Sequence, residues 1–327
     1  MGMTLRVLAA GASTTVQDRG REGWRHLGVA RGGALDPTQA TLANRLVGNP
    51  ADAAVLEIAM RGPTLGFDAP LRIALCGARI DAAFVAVDGT RHPVPCARPV
   101  ALPAGTLALG TIRHGLRAWL AVGGGIDVPR VLGGRGTDLR GGFGGFEGRA
   151  LQVGDRVPVG ACAPPRVGVA PEAPRWWIAL DPEPSDAMVV RYVPSSHALA
   201  LPLSRGAWRV DPRSDRQGLR CAGTPLDNDP QNLLSAPVAP GTIQLPPDGR
   251  PIVLLADAQT VGGYPRLGHV VAADLHRLAQ ARAGDALRFE PVDIADAAMA
   301  LQRRNAEVAR LEWAIDLMSP ETGIRCA

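Results

Sequence analysis

The sequence predicts a mainly β protein of two tandem barrel-like lobes, with a few short helices and a closing C-terminal helix. Three observations carry this expectation. Short apolar runs bounded by Gly and Pro recur along the chain (LRIALCGA, FVAVDG, LALGTI, AWLAVGGG, VVRYVP, TIQLPPDG, DALRFEPV), which is the rhythm of many short strands. A stretch dense in Pro and Ala, GACAPPRVGVAPEAPRWWIALDPEPSD, interrupts that rhythm and reads as a linker. The parts on either side echo each other: LQVGDRVPVG closes the first and ARAGDALRFEP the second, and QDRG near the start returns as SDRQG. The expected boundaries are residues 1–160 and 187–292 for the two lobes, 161–186 for the linker, and 293–327 for the terminal helix and tail.

Each element has its own local signal. In ALDPTQATLANRLVGN, Asp36 suits the N-cap, Pro37 the first helical position and Gln39 the third, while Gly48-Asn49 stops the helix, so a helix is expected from about Pro37 to Val47. The unbroken apolar run Ile252 to Ala256 reads as a strand covered on both faces. After it, Val271, Leu275 and Leu278 form a helical stripe, predicting a helix over Val270 to Arg282 that ends at Gly284. Asp274 borders that stripe, where it either faces a cleft or pairs with Arg277. Residues Asp293 to Leu317 are rich in Ala, Leu and Glu, as a helix requires.

Composition narrows the chemistry. At 327 residues and 46% apolar content the chain can bury a substantial core. No apolar run approaches the ~18 residues of a membrane span, and the start MGMTLRVLAAGASTT lacks a leader pattern, so a cytoplasmic location is expected. All 35 Lys+Arg positions are arginine. A chain without lysine has no Schiff-base lysine, no GK[ST] loop for ATP and no attachment point for biotin, so either cofactor would be carried by another chain. Net charge is +4, but the arginines are spread singly and aromatics are 4% of residues, which argues against a nucleic-acid surface. Five cysteines without CxxC pairing suggest reduced thiols, and the scattered histidines, including His269 and His276 seven residues apart, supply no metal-binding pattern. GxSxG and GxGxxG elbows are missing as well.

Three stretches could carry chemistry. In LLADAQTVGGYP, a buried strand leads into a turn where Gly262-Gly263 tolerate φ > 0 and Pro265 fixes φ; the turn would hold Asp257, Gln259, Thr260 and Tyr264 rigidly, either as a site or as a corner satisfying its own amides. Strand alternation places Glu57 with Val55 and Ala59, a carboxylate in apolar company that is either site-like or a structural ion pair. The glycine-rich segment VGGGIDVPRVLGGRGTDLRGGFGGFEGRAL could form amide nests for a carboxylate or phosphate, helped by Arg135 and Arg149, or could simply be a flexible loop.

The blocks TTVQDRGREGWRHLG, LANRLVGNPADAAVLEIAMRGPTL, RAWLAVGGGIDVPRVLGGRGTDL, SDRQGLRCAG and GTIQLPPDGRPIVLLADAQTVGGYP, in this order, resemble the biotin-dependent carboxyltransferase-like family over nearly the whole chain up to about Val292. That family includes the C-subunit of prokaryotic 5-oxoprolinase, the allophanate hydrolase subunit 2 domain of urea carboxylase, and the antagonist of the Kip sporulation-kinase inhibitor. The resemblance implies two cyclophilin-like β-barrel lobes and a cleft shared with a companion subunit of the Kip-inhibitor/allophanate hydrolase subunit 1 family. Within the blocks, the candidate catalytic residues are Asp257, Glu57 and Tyr264. The candidate substrate contacts are Gln17, Asp18, Arg19, Asn44, Ser214, Arg216, Gln244, Gln259, Thr260, Gly262 and Gly263. The chain departs from the family where it has Gly32, Gly134 and Gly136 in place of usual hydroxyl residues, Gln217 in place of a usual Met, and YVPSSH where a Gly-Pro-rich turn is common.

Three functions are compatible with that resemblance. The first is the C-subunit of an ATP-dependent 5-oxoprolinase that opens 5-oxoproline to glutamate, working with partner subunits that include a LamB/YcsF-type chain. The second is the carboxyltransferase component of a biotin-dependent urea or amide carboxylase, in which Arg and backbone amides would stabilise an oxyanion and Asp257 or Glu57 would accept a proton. The third is a non-enzymatic antagonist of a Kip-type inhibitor.

Overall fold

The computed structural model describes residues 3–179, 187–227 and 234–318. The fold is mainly β, with three α-helices among the described residues, and it divides into two compact units. Unit 1 comprises Met1–Gly20, Pro37–Pro182 and Ala309–Ala327; unit 2 comprises Arg21–Asp36 and Glu183–Val308.

Unit 1 contains β1 (Thr4–Ala9), β2 (Ser13–Gln17), α1 (Pro37–Leu46), β3 (Val55–Ala59), β4 (Thr64–Phe67), β5 (Leu71–Gly77), β6 (Ile80–Val85), β7 (Arg91–Pro93), β8 (Val100–Leu102), β9 (Gly105–Ile112), β10 (Arg117–Val122) and β11 (Arg156–Pro158). One sheet has the order β11-β1-β4-β9-β6-β7, the other β2-β3-β10-β5-β8. Every second residue of a strand faces the same way. Val7, Leu65, Phe67 and Leu107 from the first sheet therefore meet Val16, Leu56, Ile58, Leu75 and Leu120 from the second in one core. Helix α1 lies on β5 and β10 and buries Leu42, Ala43 and Leu46. It begins at the expected Pro37 and ends where left-handed Gly48 lets the Asn49 amide return to the Asn44 carbonyl at 3.0 Å.

Unit 2 contains β12 (Met188–Pro194), β13 (Trp208–Val210), β14 (Gly218–Ala222), β15 (Ala236–Pro237), β16 (Thr242–Gln244), β17 (Ile252–Leu254), β18 (Val261–Gly262), β19 (Arg266–Val270) and β20 (Ala286–Pro291). Seven of these form a closed barrel in the order β12-β19-β16-β17-β14-β13-β20; the parallel pairing of β12 with β20 completes the ring. Closure leaves no unpaired edge around a core of Tyr192, Trp208, Ile243, Val253, Leu267 and Phe289. Both polar aromatics are satisfied inside it: the Tyr192 hydroxyl donates to the Ala200 carbonyl at 2.5 Å, and Trp208 Nε1 to the Leu203 carbonyl at 2.9 Å.

The expected helix over Val270 to Arg282 is shorter than its stripe suggests. Val270 instead pairs with Tyr192 in the barrel, α2 spans only Leu275–Leu278 after a 3₁₀ turn at Ala272–Asp274, and Gln280 donates to Arg277 in an i−3 bond. Barrel closure takes the first residue of the periodic stretch, and the chain must turn into Gly284 before a longer helix can form. His269 therefore sits on a strand and shares no helix face with His276. Helix α3 (Ile294–Met318) matches the expected closing helix. One cysteine expectation is corrected: Cys162 is disulfide-bonded, while Cys76, Cys96 and Cys221 are free. An odd count and wide spacing carry no information about which thiols tertiary folding brings together.

The two Gly-Asp turns that echo in sequence also match in hydrogen bonding. In unit 1, Val7 N–H donates to the Asp155 carbonyl at 2.9 Å, Gly154 N–H to the Val7 carbonyl at 2.9 Å, and Gln152 N–H to the Asp155 carboxylate at 2.7 Å. In unit 2, Val210 N–H donates to the Asp285 carbonyl at 3.0 Å, Gly284 N–H to the Val210 carbonyl at 2.8 Å, and Arg282 N–H to the Asp285 carboxylate at 2.7 Å. Gly154 and Gly284 have φ of 94° and 90°, a region closed to most side chains. The repeated Gly-Asp pair thus encodes the same turn twice. No helix among the described residues is long and apolar enough to cross a membrane.

Candidate functional site

The candidate residues of unit 1 are engaged with their own surroundings. Gln17, at the end of β2, is buried and donates from Nε2 to Thr15 Oγ1 and to the Thr137 carbonyl, both at 3.2 Å. Asp18 occupies an amide nest: its carboxylate accepts from Gly20 N–H at 2.8 Å, Arg135 N–H at 2.5 Å and Gly136 N–H at 3.1 Å. The glycine-rich segment does form a carboxylate-binding nest, and the carboxylate in it belongs to the chain itself. Its two arginines are also committed, Arg135 to Asp127 at 3.0 Å and Arg149 to Asp155 at 2.8 and 2.9 Å. Arg19 is exposed. Asn44 bonds the Ala53 carbonyl at 2.7 Å and the Asn49 amide at 3.0 Å, pinning α1 to the loop before β3. Glu57 sits opposite Trp119 in the β3–β10 register, on the face away from Leu56 and Ile58; it accepts from Trp119 Nε1 at 3.0 Å and lies 3.6 Å from Arg117 Nε.

Unit 2 brings the later candidates together. Beyond β17, Asp257 forms a two-pronged pair with Arg216: Nε to Oδ2 at 2.8 Å and Nη2 to Oδ1 at 3.0 Å. The two side chains are 6% and 11% exposed, and Arg216 also donates to the Gly33 carbonyl at 2.6 Å. The Gly32 N–H donates to the Ala256 carbonyl at 3.0 Å, so the stretch containing Gly32-Gly33 is tied along the end of β17. Gln259 Nε2 reaches Gln244 Oε1 at 3.3 Å. Ser214 staples the SDRQG turn through the Arg220 backbone, while Asp215 accepts from Gln217 and Gly218 amides at 2.8 and 3.1 Å.

The GGYP turn is built differently from the sequence expectation. Neither Gly262 nor Gly263 has positive φ. Gly262 lies in β18, paired with Ala236, and a Cβ there would stand 2.5 Å from Gln244 Nε2. Close approach to Gln244, rather than a left-handed backbone, is what glycine provides at this position. Tyr264 is 46% exposed. Thr260 is buried, and its carbonyl accepts from Val238 N–H at 3.0 Å.

Thr260, Val261 and Pro265 form part of the wall of a cavity of about 1210 Å³ within unit 2. Arg25, His26, His197, Arg266 and His269 also line it, and among the described residues no Asp or Glu does. Arg25 comes from the 3₁₀ turn Arg25–Leu27; its Nη2 donates to the Val238 carbonyl, and its Nη1 is buried without a hydrogen-bond partner. His197 Nδ1 accepts the Leu199 amide at 3.1 Å, which leaves the proton of a neutral ring on Nε2. His269 opens onto the cavity, yet desolvation by the surrounding protein lowers its pKa. The result is a pocket lined by two arginines, three histidines, several hydroxyl side chains and apolar Val and Pro residues.

Sequence reasoning did not select Arg25, His197, Arg266 or His269. The available signal was the replacement of a Gly-Pro-rich turn by YVPSSH, which ends in His197. Arg25 carried none, because it and its neighbours His26 and Gly28 are distant in sequence from the pocket residues between 193 and 269, and only folding places Arg21–Asp36 with unit 2.

Comparison with known proteins agrees with the fold. Residues 27–291 match the family model of the carboxyltransferase domain, subdomain A and B. The chain is 37% identical over 316 residues to the 5-oxoprolinase C-subunit of Escherichia coli strain K12, covering 94% of this chain and 98% of that protein. It is 34% identical to the 5-oxoprolinase C-subunit of Haemophilus influenzae, covering 91% and 94% respectively. The crystal structure of the K. lactis urea amidolyase superimposes with a TM-score of 0.81 at 26% identity, covering 95% of this chain but only 20% of that one. With the family model spanning most of its length and relatives matching end to end, this chain belongs to the carboxyltransferase domain, subdomain A and B, family.

Proposed function

We propose that the chain is the C-subunit of an ATP-dependent 5-oxoprolinase, opening 5-oxoproline to glutamate together with partner subunits in the cytoplasm. The observation that carries this reading is mutual coverage: 94% of this chain aligns with 98% of the E. coli 5-oxoprolinase C-subunit. The urea amidolyase likeness, by contrast, involves a fifth of a much longer chain. The lysine-free sequence has neither a GK[ST] loop nor a biotin attachment point, so ATP is handled by other chains. The partners are a companion subunit of the Kip-inhibitor/allophanate hydrolase subunit 1 family and a LamB/YcsF-type subunit. Within this chain, the cavity of unit 2 is the substrate-facing surface. Asp257 does not line that cavity; it acts as an orienting group, holding Arg216 against the Gly33 carbonyl rather than standing free as a base.

The second reading, a carboxyltransferase component acting on urea or an amide, is favoured by the TM-score of 0.81 with urea amidolyase. Biotin would then ride on a separate chain. Reconstitution separates the two. The purified chain alone should turn over neither 5-oxoproline nor ATP, and adding the companion and LamB/YcsF-type subunits should produce glutamate from 5-oxoproline with ATP consumption. Activity that instead requires a biotin carboxylase and carboxylates urea would replace the first reading with the second.

A further inference from the structure

The outer wall of the unit 2 barrel carries a row of arginines that spacing along the chain does not group. Strands β14, β13 and β20 are neighbours in the barrel. Trp208, Val210, Leu219, Cys221, Leu287 and Phe289 are buried, so alternation turns Arg209, Arg220 and Arg288 outward, where all three are exposed. Register then aligns them. Arg209 lies opposite Ala222 on β14 and Ala286 on β20, and both strands run antiparallel to β13; Arg220 therefore stands two positions along in one direction and Arg288 two positions along in the other. Diagonal neighbours of this kind are about 7–8 Å apart, so the three positions form one oblique row. The adjacent carboxylates are already engaged. Asp211, whose N–H donates to the Arg220 carbonyl, accepts both prongs of Arg213 at 2.9 Å and lends Arg220 only a longer-range attraction; Glu290 stands opposite Arg191. Among the described residues Arg220 and Arg288 make no ion pair, and the Arg209 side chain reaches only the Gly284 carbonyl, at 2.9 Å. A guanidinium stays protonated at any accessible pH, so the row is a fixed strip of positive charge open to solvent.

We propose that this row is a docking strip for an extended acidic segment of a partner protein, with its carboxylates on alternate residues. Side chains on one side of an extended chain repeat at about 6.6 Å, close to the step of the arginine row, so carboxylates at i, i+2 and i+4 meet Arg220, Arg209 and Arg288 in turn. The planar guanidinium fork matches a carboxylate in both shape and charge. A nucleic-acid strand fits the same face poorly: the aromatic residues of these three strands, Trp208 and Phe289, are buried, which leaves no ring on which a base could stack.

Fluorescence anisotropy with the full chain at low salt, where surface charges are least screened, tests the assignment with three labelled probes of matched charge. They are a Ser/Glu peptide with Glu at every second residue, a peptide of the same composition and length with Glu at every third residue, and an oligothymidylate. The expected results are saturable binding of the first peptide, weaker binding of the second, and affinity for the first about tenfold lower in Arg220→Gln/Arg288→Gln, since single exposed pairs are weak but two are lost together. Both side chains are exposed, so the double variant keeps the fold, and Arg209 is left in place because it also ties the Gly284 turn. The comparison of the two peptides uses the unmodified chain and decides the matter even if the variant does not fold. Arg303→Gln/Arg310→Gln removes the same charge from exposed positions of α3 and should bind the first peptide as the wild type does. Absence of binding by the first peptide, equal binding of both peptides, equal losses in the two double variants, or tighter binding of the oligonucleotide that disappears in Arg220→Gln/Arg288→Gln would each overturn the proposal.

Discussion

Replacing Asp257 by Asn keeps size and removes one charge, and the structure sets the cost. Asp257 and Arg216 are 6% and 11% exposed and share two charge-assisted hydrogen bonds, at 2.8 and 3.0 Å. Removing one member of a buried pair leaves an uncompensated charge and typically costs about 3–5 kcal/mol. Asn keeps a carbonyl for one of the two Arg216 donors, and the Gly33 carbonyl still accepts from Nη2, so the lower end, about 3 kcal/mol, applies. For a unit of this size that amounts to a fall of roughly 6–12 °C in melting temperature by scanning calorimetry. Adding Arg216→Gln to Asp257→Asn should recover part of the loss, since the pair is then removed as a pair. The control is Asp316→Asn: its carboxylate is 61% exposed beside Arg45, and the cost should stay within about 1 kcal/mol. If Asp257→Asn melts with the wild type while the reconstituted complex loses activity, Asp257 serves the chemistry and the structural argument is wrong.

Two further outcomes follow from particular contacts. Asp274 is 1% exposed and, although burial pushes its pKa up, hydrogen bonds from Arg191 Nε, Nη2 and N–H hold it below the usual carboxylate range. A depressed folded-state pKa contributes stability that is present above the unfolded value of about 4 and is lost as pH falls through the folded value. Urea unfolding should therefore show wild type well above Asp274→Asn at pH 7 and the gap closing below about pH 4; a gap that widens on acidification would reverse the assignment. Gly154→Ala and Gly284→Ala, each at left-handed φ with nothing within 4 Å of the new Cβ, should both cost roughly 1–2 kcal/mol. Unequal costs in denaturant titrations would show that the two turns are not energetically equivalent.

Much of the fold was legible because its causes are local. Alternation, Gly/Pro punctuation and capping residues act within a few positions, and so the many strands, helix α1 between Pro37 and Leu46, helix α3 and the paired Gly-Asp turns could all be read from the chain. The second helix failed the same test: Val270, the first residue of the expected helix, is taken into the barrel by pairing with Tyr192, which no local pattern records. The site was legible only in part. Sequence pointed to Asp257, Gln259 and Thr260 and to a nest for a carboxylate, but could not say that Asp257 meets Arg216 or that Asp18 fills the nest. A side chain's partner is set by which loops converge, a long-range property with no local code. What the sequence by itself determined is the two-part β architecture, the family and the exclusion of lysine-dependent chemistry on this chain. What only the tertiary structure decided is the cavity, because Arg25, His197 and Arg266 are brought to the lining of one cavity by barrel closure and by the return of Arg21–Asp36 to unit 2.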